Sequence, residues 1–286
     1  MMQTFQALKR NIKQANLSLP SLRVSLLGDT ATQLIAVALK GTAIERGYAL
    51  DLYEAEYNQV VRQVMDPTSD LYAHRAQYTL IFQSTHKLLE HFSTANMGTR
   101  TALAEERIAF LRHACESIPG KVICFNYPEI EDVVFGSYAN QLEESFTYQV
   151  RKLNYDLMRL AQELPNLYIC DIAALQNKFG RDWLFDASVY VSTEMVLSID
   201  ALPYVASRAM DVICAIEGQF KKCLILDLDN TIWGGVVGDD GWENIQVGHG
   251  LGIGKAFTEF QQWVKKLRER GIIICVCSKN DEDKAK

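Results

Sequence analysis

The segment Cys223-Leu224-Ile225-Leu226-Asp227-Leu228-Asp229-Asn230-Thr231 places two carboxylates and a hydroxyl directly after an apolar strand. Because the side chains of a strand alternate between its faces, we expect Asp227 and Asp229 to project the same way while Leu228 points back. Two like charges held this close are unfavourable unless a cation or a proton separates them. The segment therefore predicts a seat for a hard divalent metal and for phosphoryl chemistry at a strand end.

A second apolar strand, Ile272 to Cys277, is expected after one helix over 255–270, which Gly271 ends. A strand, a helix and a strand in succession predict two parallel strands whose carboxyl ends share one edge of a sheet. Ligands of open α/β sheets bind beyond that edge. We therefore expect the two carboxylates to meet further polar residues there, namely Thr231, Ser278 and Asn280.

The long segment between this first strand and the helix lacks clear periodicity. It contains Asp240-Gly241, a pair that favours a hairpin turn. A loop this long inside a compact unit is usually functional or folded back as a flap.

The first part of the chain alternates apolar strands with helical segments, which predicts a parallel sheet covered by helices on both faces. A boundary to a second α/β unit is expected near residue 219. The five predicted strands of the first part are Leu22–Leu27, Tyr48–Tyr53, Thr79–Gln83, Val122–Phe125 and Leu167–Cys170.

The composition is that of a globular protein with a buried core. Of the 286 residues, 48% are hydrophobic, and the net charge is −6 with acids and bases mixed along the chain. The basic cluster Lys265, Lys266, Arg268 and Arg270 has helical spacing near a helix end, which favours a solvated helix face over a nucleic-acid site. No apolar run approaches the length of a membrane span. Seven cysteines without metal-ligand spacing favour a reducing compartment. We expect a cytoplasmic protein without nucleic-acid or membrane partners.

Two motifs resemble the signatures of the haloacid dehalogenase-like superfamily. Leu226 to Thr231 resembles the first of them and Val276-Cys277-Ser278-Lys279-Asn280 the second. The longer segment 228–241, read as LDNTIWGGVVGDDG, is similar to the FkbH-like branch of that superfamily. The resemblance implies an α/β chain with a flavodoxin-like or SGNH-hydrolase-like three-layer domain over 1–219. A partial Rossmannoid domain of the haloacid dehalogenase-like kind would follow over 220–286.

The resemblance also implies the roles of the site residues. Asp227 would be the nucleophile that forms an aspartyl-phosphate, and Asp229 the general acid and then the general base. Mg²⁺ would be held by Asp227 and by the backbone carbonyl of Asp229, and Thr231 and Ser278 would bind the phosphoryl oxygens. The substrate would be a phosphorylated small molecule. Members of the family are associated with moving a glyceryl unit from a phosphorylated three-carbon metabolite onto an acyl carrier protein, which is a specific alternative to simple phosphatase activity.

The chain departs from the superfamily at its end. The superfamily also uses a Lys and an acidic metal-binding pair after the second motif, and the chain stops at Lys286, before either is reached. We therefore expect the second domain to be the N-terminal part only of a longer one. A non-catalytic binding or scaffold protein that retains the fold is the alternative hypothesis.

The first domain offers a third, less favoured hypothesis, an SGNH-type esterase. Gly28-Asp29-Thr30 stands where those enzymes carry their nucleophile, which is a Ser in them and Thr30 here. They also need a late Asp-x-x-His pair, and no His follows Asp186 at that spacing. Asp29 or Thr30 is explained as well by a helix N-cap. Asn126, after the fourth strand, is expected to line the same cleft as Asp29 in a vestigial or repurposed pocket.

Overall fold

A computed structural model describes residues 2–14 and 18–279 of the chain. The chain divides into two compact units, Met1–Glu217 and Gly218–Lys286. Each unit is a separate α/β body with its own sheet. No helix of the described residues is long and apolar enough to cross a membrane.

The first unit contains a five-stranded sheet in the order β2-β1-β3-β4-β5, with every neighbouring pair parallel. All five predicted strands are confirmed, and none of their ends lies more than one residue from the predicted position. The central strand β3 is buried at every position, as expected for a parallel sheet covered on both faces. The strands are β1 (Ser21–Gly28), β2 (Ala49–Glu54), β3 (Tyr78–Phe82), β4 (Lys121–Phe125) and β5 (Leu167–Cys170).

Helices connect the strands and form the outer layers of the first unit. The predicted alternation of strands and helical segments is confirmed, and a 3₁₀ turn lies at Gly136–Gln141. The α-helices are α1 (Phe5–Gln14), α2 (Gln33–Glu45), α3 (Val60–Met65), α4 (Asp70–His74), α5 (Thr85–Thr94), α6 (Met97–Arg100), α7 (Leu103–Ser117), α8 (Phe146–Glu163), α9 (Ala173–Phe179), α10 (Arg181–Leu184), α11 (Ala187–Thr193) and α12 (Leu202–Ile216).

Two hydrophobic clusters lie on opposite faces of this sheet. Alternation along β1 sends Leu26 to the cluster formed with α1, α2 and α12, and Leu27 to the cluster formed with α5, α7 and α8. Both side chains are fully buried. The two clusters confirm the predicted three-layer arrangement, with the sheet as the middle layer.

The second unit contains two parallel strands, β6 (Cys223–Leu226) and β7 (Ile273–Val276). Between them lie α13 (Val237–Asp240) and α14 (Ile253–Glu269), and Gly271 takes a φ of +98° where the chain turns into β7. The strand, helix, strand order is confirmed.

The predicted hairpin turn at Asp240-Gly241 is wrong. Asp240 ends the one-turn helix α13, and its carboxylate accepts a hydrogen bond from the Val236 N–H at 2.8 Å. The segment nevertheless folds back, because Gly234 and Gln246 form an antiparallel bridge with N···O distances of 3.0 and 2.7 Å. Two features favour a short helix over a tight turn here. Acidic residues in the first turn stabilise the start of α13, and Gly241, with a φ of +75°, allows the chain to leave its end.

Candidate functional site

The candidate site lies where the chain leaves β6 and β7. Leu226 pairs with Val276, and the Cys277 N–H donates to the Leu226 carbonyl at 2.8 Å. Both strands therefore end at the same edge of the sheet. Of the predicted site residues, Asp227 directly follows β6 and Ser278 lies two residues after β7, so both leave the sheet at this edge, while Asp229 and Thr231 follow in the turn after Asp227. The fifth, Asn280, lies outside the described residues.

Asp229 is held in a defined orientation. Its Oδ1 accepts hydrogen bonds from the Trp233 indole N–H at 3.0 Å and from the Val237 N–H at 3.2 Å. The side chain is half-buried, whereas that of Asp227 is exposed. Asp227 Oδ1 accepts the N–H of the next residue, Leu228, at 2.8 Å. The two carboxylates thus occupy different environments, as a pair with different chemical roles requires.

The turn after Asp229 depends on Asn230. Its φ of +53° lies in the left-handed region, which Asn tolerates better than other residues with a side chain. Its Oδ1 accepts the Gly235 N–H at 3.0 Å. The Thr231 and Ile232 N–H groups both donate to the Leu228 carbonyl, at 3.2 and 2.8 Å. This turn holds the backbone of the half-buried Thr231 against that of Leu228.

Residues of α14 fasten the folded-back segment. Gln261 Nε2 donates to the Ile232 carbonyl at 2.8 Å, and Thr258 Oγ1 accepts the Gly248 N–H at 2.8 Å. A Cβ on Gly234 would come within 2.8 Å of the Phe257 ring, so this position requires glycine. Sequence reasoning did not identify Trp233, Thr258 or Gln261 as supports of the site. Trp233 could have been found from its position, because it lies four residues after Asp229 and its indole N–H can reach back to that carboxylate across a turn.

The donor set at this edge suits a hard divalent cation. Carboxylate and carbonyl oxygens are the ligands that Mg²⁺ prefers, and Mg²⁺ usually binds through one or two carboxylates while keeping several waters. Asp227 and Asp229 supply two carboxylates there. No group of three or more His, Cys, Asp or Glu side chains able to hold a metal occurs within residues 2–14 and 18–279. The residues therefore fit Mg²⁺ shared with a substrate better than a cage built from protein alone.

The first unit does not build an esterase site around Thr30. The Thr30 side chain is 1% exposed, and its hydroxyl forms no hydrogen bond with any described residue, so no base is in place to activate it. The N-cap of α2 is Thr32, so the explanation of Asp29 or Thr30 as a cap is also wrong. Ala31 and Thr32 follow Thr30 in the turn after β1, and α2 begins only at Gln33.

Asn126 does not line a cleft with Asp29. Its amide nitrogen donates to Asp171 Oδ1 at 2.7 Å, and its oxygen accepts the N–H groups of Ile172 and Ala173 at 2.8 and 3.0 Å. The side chain therefore fixes the turn after β5. These hydrogen bonds occupy the Asn126 side chain at the end of a neighbouring strand, and the sequence alone does not indicate them.

Comparisons with known proteins identify the family of the chain. A family model, the FkbH N-terminal domain, matches residues 23–214. The chain is 64% identical to the crystal structure of the N-terminal part of a Bacteroides fragilis protein containing a phosphatase domain and complexed with Mg. That match covers 100% of this chain and 76% of that chain, with a TM-score of 0.96.

A more distant match is the C-terminal catalytic domain of peptidoglycan O-acetyltransferase A from Streptococcus pneumoniae. It is 11% identical and covers 70% of this chain and 97% of that chain, with a TM-score of 0.41. A score that low supports no statement about the present chain. None of the curated proteins matches.

Proposed function

The chain belongs to the FkbH family, and from this premise we propose that it is a Mg²⁺-dependent phosphoryl-transfer enzyme with its active site at the ends of β6 and β7. The observation that carries the proposal is the pair Asp227 and Asp229 at one strand end, the second oriented by two N–H donors. The phosphatase domain and the Mg of the Bacteroides relative support it.

Two groups of this chain would hold the cation, the Asp227 carboxylate and the backbone carbonyl of Asp229. Bound there, Mg²⁺ supplies positive charge that offsets the negative charge of the phosphoryl oxygens. The exposed position of Asp227 leaves it reachable by a ligand from solvent. The side chains of Thr231 and Ser278 donate hydrogen bonds to the phosphoryl oxygens in this proposal, as does Asn280.

In the proposed reaction Asp227 is the nucleophile. Its carboxylate oxygen forms a bond to phosphorus as the bond between phosphorus and the bridging oxygen of the substrate breaks. Asp229 gives its proton to that leaving oxygen. A water then attacks the aspartyl-phosphate and passes a proton to Asp229, which releases phosphate, restores the Asp227 carboxylate and returns Asp229 to its protonated form. The Trp233 and Val237 donors keep Asp229 aimed through both steps.

The direct test is phosphate release from p-nitrophenyl phosphate with Mg²⁺ present. We expect Asp227→Asn to abolish turnover, because an amide cannot act as the nucleophile. The matched control is Asp239→Asn, which removes an exposed carboxylate of the same segment and should leave turnover unchanged. Full turnover by the Asp227→Asn variant would remove this residue from the mechanism.

The finer form of the proposal is transfer of a glyceryl unit from a phosphorylated three-carbon metabolite to an acyl carrier protein. An assay of phosphate release with and without a carrier protein separates it from simple hydrolysis. If release requires the carrier and the carrier gains the mass of a glyceryl group, transfer is supported. Release that is indifferent to the carrier supports a phosphatase.

A scaffold protein with the same fold predicts a different result. Beryllofluoride mimics a phosphoryl group on an aspartate and needs both the carboxylate and Mg²⁺. The proposed enzyme should bind it with Mg²⁺ present and lose it in the Asp227→Asn variant. A scaffold should bind neither the metal nor the mimic.

A further inference from the structure

A polar cavity of about 370 Å³ lies in the first unit, apart from any residue assigned above. Asp29, directly after β1, and Gln83, directly after β3, both line it. In the order β2-β1-β3, the chain leaves β1 to one side for β2 and returns on the other side for β3. Open α/β sheets bind ligands at this kind of reversal, beyond the carboxyl ends of the strands.

The floor of the cavity consists of two buried polar side chains. Asp29 is 7% exposed, and its two carboxylate oxygens lie 2.9 and 3.1 Å from the Ser84 N–H. Gln83 is 4% exposed, and its oxygen accepts the Tyr127 hydroxyl at 3.4 Å. No described residue accepts a hydrogen bond from the Gln83 amide nitrogen. Gln83 lines the cavity, so its amide nitrogen is available to donate a hydrogen bond to a ligand bound there.

The charges around the cavity are unevenly compensated. Lys87 Nζ lies 3.0 Å from Glu90 and 2.9 Å from Glu194, so its charge is neutralised twice. The half-buried Arg107 forms no ion pair with any residue of the described part of the chain. The charge that opposes it is the Asp29 carboxyl, whose pKa burial raises to about 7, against the opposing effects of Ser84, Arg107 and Lys87. Arg107 is therefore the cationic side chain of the cavity that is left to pair with a ligand.

We propose that this cavity binds a small metabolite through a carboxylate or phosphate group, with the Arg107 guanidinium as its counterion and the Gln83 amide as a hydrogen-bond donor. The volume lies at the small end of the range of ligand pockets. A planar guanidinium with free donors matches the oxygens of either anion. The proposal concerns the first unit and is independent of the phosphoryl-transfer site.

The experiment is calorimetric titration of the full chain carrying Asp227→Asn, without Mg²⁺, so that the phosphoryl-transfer site is not loaded. Inorganic phosphate and glycolate are the two probes, at pH 6. Ligands of this size reach dissociation constants of about 1 mM or tighter. Phosphate binding alone identifies a phosphate site, and glycolate binding alone a carboxylate site.

Arg107→Gln should weaken the binding of the active probe at least tenfold. The matched control is Arg112→Gln on the same helix, which removes an exposed guanidinium paired with Glu163 and should change nothing. The proposal is overturned if neither probe binds at millimolar concentration, or if the Arg107→Gln variant binds as tightly as the unchanged protein.

A second readout follows from the proton on Asp29. Binding should weaken roughly tenfold from pH 6 to pH 8, because the anion must then meet a carboxylate. Asp29→Asn should bind equally at both pH values. The other charged or titratable groups around Asp29 are Arg107, Lys87, Glu90, His91 and Tyr127, with Glu194 paired to Lys87.

Among these neighbours His91 needs its own control, because its imidazole lines the same cavity. His91→Gln should keep the full pH dependence. Glycolate serves for this series because its charge is constant over the range, and sulfate replaces phosphate for the same reason. A pH dependence that survives Asp29→Asn and disappears in His91→Gln would contradict the assignment.

Discussion

Replacing Asp29 by Asn should stabilise the first unit at neutral and alkaline pH. The carboxyl group is 7% exposed, and burial raises its pKa from 3.8 to about 7. A raised pKa means that the folded state prefers the proton. The stability linked to it is complete below pH 3.8 and is lost as the pH rises through about 7. Asparagine carries no charge and keeps an oxygen that can accept the Ser84 N–H.

The size of the effect follows from the shift. About three pKa units at 1.36 kcal/mol each correspond to ~4 kcal/mol of lost stability at pH 8. At pH 5 the unfolded chain has already lost most of its proton from this group while the folded chain keeps it, which corresponds to ~2 kcal/mol. The difference between an amide and a protonated carboxyl adds an offset that is the same at both pH values. The diagnostic quantity is therefore a gain that is ~2 kcal/mol larger at pH 8 than at pH 5.

Urea denaturation followed by far-UV circular dichroism measures this gain, read from the transition of the first unit. The control is Asp66→Asn, since hydrogen bonds from Thr68 lower the pKa of Asp66 and its removal should give no gain at pH 8. An Asp29→Asn variant that gains the same stability at both pH values, or loses stability at pH 8, would show that burial does not govern this carboxyl group.

Three further outcomes are expected. Gly41→Ala should lower the free energy of unfolding by about 1–3 kcal/mol in urea, because its Cβ would lie 2.6 Å from Leu8 Cβ and from the Leu8 carbonyl oxygen of α1. Gly98→Ala meets no atom within 4 Å and serves as its control; an equal loss there would refute the packing argument. Trp233→Phe should reduce phosphate release by on the order of tenfold without shifting the urea midpoint, because it removes a donor that orients Asp229; unchanged release would exclude that role. Chelation of Mg²⁺ should abolish phosphate release and added Mg²⁺ restore it, whereas release that persists in the chelator would refute the metal dependence.

Local patterns in the sequence were sufficient for the strands and for the motif that ends β6. A continuous apolar run followed by Asp-x-Asp is a short-range signal, since alternation along a strand and the polarity of its end need no distant residue. The end of α14 is likewise a local signal, because the chain turns at Gly271 with a φ of +98°, which glycine adopts readily. Because sequential α/β units pair in parallel, the common edge of β6 and β7 also followed from the order of the elements.

The tertiary structure decided how distant groups meet. Asn126 was expected in a cleft but bonds Asp171, and Trp233 orients Asp229, because hydrogen bonds depend on positions that only the folded chain sets. The polar cavity brings Asp29 together with Arg107 from a helix two strands later. Neither residue carries a local signal of the other. The pKa of Asp29 is raised to about 7 by burial, and burial depends on the sheet and the helices that cover it. The sequence alone therefore does not identify this carboxyl group as unusual.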